Sequence, residues 1–82
     1  MKNTKIWKKR VVIDPKVLVG KPIIKRTRIS VGFILELLAN GWSYKEILKN
    51  YPQITKEDIQ AAVQYSLEIL KEEQTYVLVE EP

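Results

Sequence analysis

At 82 residues, with a formal net charge of +4 and neither cysteine nor histidine, the chain is short for a self-sufficient hydrophobic core. Those absences exclude disulfides, thiolate metal sites and the usual general base, metal ligand and pH switch. Dimerisation is the expected source of extra stability. No cofactor or metal is expected, because the acids stand singly and no spacing offers an oxygen cage.

The modest net charge conceals a division. Residues 1–28 hold ten Lys or Arg against Asp14 alone, a balance of +9; residues 29–82 hold four Lys against nine acids, a balance of −5. A basic arm that meets an anionic partner and a body that does not would produce this asymmetry, as would a simply solvated basic end. The apolar run Val11–Ile13 stops at Asp14-Pro15, too soon for a signal peptide or a membrane span. A cytoplasmic protein is expected, with no membrane partner.

In chain order, residues 1–9 read as a mobile arm with Ile6 and Trp7 as anchors. Val11-Val12-Ile13 reads as a short strand. Asp14 caps the turn that follows, and Lys16–Val19 makes a turn or loose coil closed by Gly20. The stretch GKPIIKRTRISV, residues 20–31, carries Lys21, Lys25, Arg26 and Arg28 among isoleucines. Its Ile23-Ile24 and Arg28-Ile29 pairs read as further extended pieces of a two- or three-stranded ribbon, whose edges a second subunit would satisfy.

Ser30 is a good N-cap for a first helix over about residues 31–40, with Val31, Ile34, Leu35 and Leu38 on one face and Phe33 and Leu37 widening it. Gly41 fits the left-handed position beyond the C-cap. Ser43 with Glu46 fits a capping box and Trp42 with Ile47 a hydrophobic staple, opening a second helix to Asn50 that turns Tyr44, Ile47, Leu48 and Tyr51 inward. Pro52 forbids continuation. Thr55 with Asp58 gives a weaker box, with Ile54 and Ile59 as its staple, for a long third helix to Glu72 or Glu73. Its expected buried stripe is Ile59, Ala62, Val63, Ser66, Leu67 and Leu70. Thr75–Val79 reads as β-like. The expected organisation is one domain over 1–82: a basic β arm (1–29), a three-helix body (30–73) and an apolar, acidic tail (74–82). Three helices with a short turn between the last two match a helix-turn-helix.

The combination resembles the small prokaryotic family known as domain of unknown function 433. The resemblance rests on Gly20-Lys21-Pro22, Arg26-Thr27-Arg28-Ile29, Gly41, Ser43 with Glu46 and Ile47, Tyr51-Pro52, and Thr55 with Asp58 and Ile59. It covers about residues 10–70. One departure is a missing glycine before the Thr-Arg pair: Arg26 takes its column and Lys25 stands where the family's first arginine would. The resemblance implies a mainly α, homeodomain-like three-helix fold with a short N-terminal β arm; that the protein is dimeric through the arm is expected from the ribbon's open edges instead. The resemblance also implies an antitoxin role beside a PIN-like nuclease toxin.

A helix-turn-helix reads DNA with the first turns of its last helix, which makes Lys56, Gln60, Ala61 and Gln64 candidates beside Thr55, glutamine being able to pair with adenine. Glu57, Asp58, Glu68, Glu72 and Glu73 on the same helix oppose phosphate. Lys8, Lys9 and Arg10 of the arm, with Lys21, Lys25 and Arg26, are the better phosphate candidates. Arg28 is expected to pair with Glu36 or Asp58 instead. The tail residues Tyr76, Val77, Leu78 and Val79 are candidates for strand addition, to the protein's own ribbon, its dimer mate or a partner's sheet edge. No enzyme is expected. Two functions stay open: a DNA-associated antitoxin, and an interaction or structural module with a helix-turn-helix scaffold and no DNA binding.

Overall fold

The computed structural model describes residues 6–77, with side chains over 7–72. Strand β1 (Val11–Ile13) pairs antiparallel with β2 (Pro22–Ile24), Val11 facing Ile24, Val12 facing Ile23 and Ile13 facing Pro22. Helices α1 (Val31–Ala39), α2 (Tyr44–Asn50) and α3 (Lys56–Val77) follow. The chain is thus mainly helical, with a small two-stranded sheet near its start. Among the described residues no helix is long and apolar enough to cross a membrane.

Local chemistry sets the helix ends. The Phe33 N–H donates to Ser30 Oγ at 2.9 Å, opening α1. At its far end the Trp42 N–H donates to the Leu37 carbonyl and the Gly41 N–H to that of Leu38, both at 3.0 Å, with Gly41 at φ 89°. This is the Schellman arrangement, and it needs a residue tolerant of positive φ. Ser43 and Glu46 form the full box: the Glu46 N–H donates to Ser43 Oγ (3.1 Å) and the Ser43 N–H to Glu46 Oε1 (2.9 Å). The box at α3, expected to be weaker, is equally complete. The Thr55 N–H donates to Asp58 Oδ2 (2.9 Å) and the Asp58 N–H to Thr55 Oγ1 (3.2 Å).

The core lies where the three helices meet the inner face of the sheet. Ile34, Ile47 and Ile59, one from each helix, are 0% exposed, and Val11, Ile24, Ile29, Val31 and Leu37 close around them. Phe33 and Tyr51 meet edge to face at 5.4 Å, and Trp42 lies tilted beside Tyr51 at 6.4 Å. These rings join α1, the turn after it and the end of α2.

Four expectations are corrected. The buried stripe of α3 runs through Asp58, Ile59, Ala61 and Ala62, with half-buried Tyr65 beyond, while Val63, Leu67 and Leu70 are exposed. The helix is rotated because a second element claims one flank. Residues 6–9 are not a loose arm: Ile6–Lys9 forms a 3₁₀ turn that sets the Trp7 ring edge-on to Tyr65 at 4.9 Å. Residues 1–5 lie outside the described part. Arg28-Ile29 adds no third strand; the Ile24 N–H donates to the Ile29 carbonyl (2.9 Å) and a single bridge joins Ile23 to Ser30. Finally, α3 continues to Val77, so Thr75, Tyr76 and Val77 are helical rather than β-like, whereas Leu78 and Val79 fall outside the described residues.

Two turns carry left-handed backbone at residues with a Cβ. Leu18 (φ 49°) and Val19 (φ 56°) precede Gly20, with Val19 91% exposed. Arg26 (φ 67°) is the third residue of a turn closed by the Thr27 N–H donating to the Ile24 carbonyl at 3.0 Å. That position of such a turn favours glycine, the residue the family resemblance places in this column.

Two stability tests follow from the helix ends. A Cβ at Gly41 would meet nothing within 4 Å, so Gly41→Ala should cost about 1 kcal/mol in denaturant unfolding, through backbone conformation alone. At exposed Gly32, inside α1 with only Ser30 Oγ at 4.0 Å, the same change should stabilise by about 0.5 kcal/mol.

Candidate functional site

The concave feature that gathers the most candidate residues is a cleft of about 260 Å³ lined by Lys9, Arg10, Lys25, Arg26, Thr27, Gln53 and Asp58. Three segments build it. Arg10 leads from the 3₁₀ turn into β1; Lys25–Thr27 form the turn leaving β2; Gln53 lies between α2 and α3, and Asp58 in the first turn of α3. The Lys25 N–H donates to the Arg10 carbonyl at 2.8 Å, continuing the ladder one step past β1 and β2 and setting their cations side by side.

Asp58 is the one acid in this lining, and it is 7% exposed. Its Oδ1 accepts from Arg10 Nη1 at 3.0 Å while Oδ2 caps Thr55. A carboxylate removed from water needs such partners on both oxygens. Arg10, expected to face a partner, is therefore partly committed to the fold. Its side chain keeps 36% of its surface exposed. The expectation that Arg28 pairs with Glu36 or Asp58 is corrected: Arg28 is exposed and forms no ion pair among the described residues. Arg10 holds Asp58 because β1 runs past the start of α3.

Thr27 shapes the turn from within. Its hydroxyl donates to the Ile24 carbonyl at 2.7 Å and accepts the Ile29 N–H at 2.9 Å. Lys9, Lys25 and Arg26 are exposed around it.

The other candidates lie apart. Lys8 holds its ammonium 5.9 Å over the Trp7 ring. Lys21 lines a second, shallower groove of about 510 Å³ with Pro22, Ser30, Gly32, Phe33 and Glu36. Lys56 and Gln60 are exposed on α3. Gln64 is half-buried, with Oε1 buried and without a hydrogen-bond partner. Ala61 is 0% exposed and packed into the core, so it is withdrawn as a DNA contact. Of the partner candidates, Tyr76 and Val77 end α3, and Leu78 and Val79 are outside the described residues. Gln53 was missed by sequence reasoning: it follows Pro52 in a loop and carries no pattern of its own. Among the described residues no three acids gather to hold a metal ion.

If Asp58 joins arm to helix, its loss should be felt at both. Asp58→Ala should cost about 2–3 kcal/mol by denaturant unfolding, a lost cap plus a stranded guanidinium. Asp58→Asn keeps a capping acceptor and should cost less than half as much. Equal costs for the two would show that neither oxygen matters in the way described.

No curated protein matches this chain. Among solved structures, the crystal structure of a DUF433 member protein from Anabaena variabilis is similar, with a TM-score of 0.71 and 35% identity. The match covers 77% of this chain and 62% of that one, so this chain spans less than two thirds of that protein's length. A family model described as "Protein of unknown function (DUF433)" matches residues 11–66, from the first residue of β1 to the middle of α3. The chain belongs to the DUF433 family.

Proposed function

We propose that this protein is the antitoxin of a toxin–antitoxin pair: a homodimeric, homeodomain-like helix-turn-helix protein that binds a PIN-like nuclease toxin and its own promoter DNA. The observation that carries the DNA part is the cationic cleft beside the first turn of α3, where Lys9, Arg10, Lys25 and Arg26 stand against one acid that is already paired. In a helix-turn-helix the first turns of the last helix meet the groove while neighbouring segments meet the backbone. Exposed Lys56 and Gln60 occupy those turns. The role is one of binding, not catalysis.

The toxin part rests on the family resemblance and on apolar surface. Val63, Leu67 and Leu70 share one face of α3 and are 40%, 51% and 54% exposed. A helix with such a stripe suits a partner's hydrophobic groove. The homodimer is supported by β1, which among the described residues pairs only with β2 and carries exposed Ile13; an open edge of this kind favours pairing with a second copy. Exposed Glu57 and Glu72 on α3 favour the other reading, a protein-binding module without DNA.

Salt separates the two readings. Promoter binding in a mobility-shift assay should weaken at least about tenfold between roughly 50 and 200 mM salt. No shift at the lower concentration removes the DNA part. A nuclease encoded beside this gene should co-purify with the full chain and be lost when the chain is cut after Glu73. Undiminished capture by the truncated chain would take the tail out of the interface.

A further inference from the structure

We infer that the cleft between the Lys25–Thr27 turn and the α2–α3 turn is a phosphoryl-binding site, taking one phosphate group at a time. Four side-chain cations and one acid line it, a formal balance of +3. Both oxygens of that acid are engaged, one with Arg10 and one with the Thr55 N–H. The remaining cations, Lys9, Lys25 and Arg26, therefore share the lining with no counter-charge from the protein among the described residues. Like charges held together around a concavity raise its affinity for an anion.

The backbone accepts strain to place them so. Arg26 stands at φ 67°, where a glycine would be cheaper, and this left-handed residue lines the cleft next to Lys25. Arg10 is pre-aimed: Asp58 takes one nitrogen and leaves the rest of a five-donor guanidinium available. Gln53, from the segment between α2 and α3, completes the lining with a neutral residue. A cleft of about 260 Å³ has room for a phosphoryl group.

Free phosphate and a backbone phosphodiester both carry this group; the second source rests on the DNA reading above, and the test separates them. Backbone amides of the full chain would be followed by ¹⁵N NMR while inorganic phosphate, and separately a short promoter duplex, is titrated in at low salt. Four proteins are compared: the wild type, Arg26→Gly, Lys25→Gln with Arg26→Gly, and a control carrying Lys45→Gln and Lys49→Gln on α2.

Phosphate should shift the amides of Lys25–Thr27 and Gln53. The double cleft variant should weaken phosphate and duplex binding about tenfold and lower the salt slope of duplex binding by about one, the loss of one phosphate contact. The control should change either affinity less than about threefold. Arg26→Gly should weaken binding without lowering the Tm, since it relaxes the turn, and so separates lost charge from lost fold. Phosphate shifts scattered over all lysines, or a double variant that binds like wild type, would overturn the site. Phosphate bound in the cleft without any duplex binding would uphold the site and sink the DNA reading. Duplex binding untouched by the double variant, with phosphate binding lost, would uphold the site for free phosphate and overturn its role as a backbone contact.

Discussion

The structure depends on one carboxylate. Asp58 closes the capping box of the longest helix and holds the guanidinium of a residue 48 positions earlier, all at 7% exposure. A carboxylate so far from water is tolerable only when its oxygens are answered. The two answers come from different parts of the chain, so the helix start and the arm are fixed by the same group. With Arg10 placed, Trp7 falls against Tyr65 and β1 against α3. From Trp7 through β1 the arm is a buttress of the body, and Arg10 is held against it.

A second constraint acts through the turn after β2. Thr27 ties its hydroxyl to Ile24 and Ile29, and the ladder continues from Arg10 to Lys25. These bonds force left-handed backbone onto Arg26. The missing glycine, a mere departure from the family pattern on paper, becomes a side-chain charge displayed at a cleft. Local strain and the gathering of cations are two aspects of one turn.

The same geometry makes the two faces of the molecule different in kind. The cleft face is polar, concave and basic, built from three segments. The exposed side of α3 is apolar at Val63, Leu67 and Leu70 and acidic at Glu57 and Glu72. Lys56 and Gln60 are exposed on the same side of α3, one or two turns before Val63 and Leu67, so the polar and apolar surfaces meet along that helix.

What the sequence determined by itself was local. Ser30, Ser43 with Glu46, Thr55 with Asp58, Gly41 and Pro52 mark helix ends because capping acts within three or four residues, and the helices begin where those residues predict. Helical periodicity made Val31, Ile34 and Ile47 legible as core, but it put Leu35 and Leu38 ahead of Leu37, which is the buried one of the three; the family was legible too. Tertiary structure alone decided the partner of Asp58, the burial of Ala61, the exposure of Val63, Leu67 and Leu70, and the inclusion of Gln53 in the cleft. Each turns on which distant segment lies alongside. Helical periodicity shows that α3 has an apolar side but not how far the helix rotates when Trp7 packs against it. A count of arginines shows charge, but which one is committed to a carboxylate depends on where β1 passes α3.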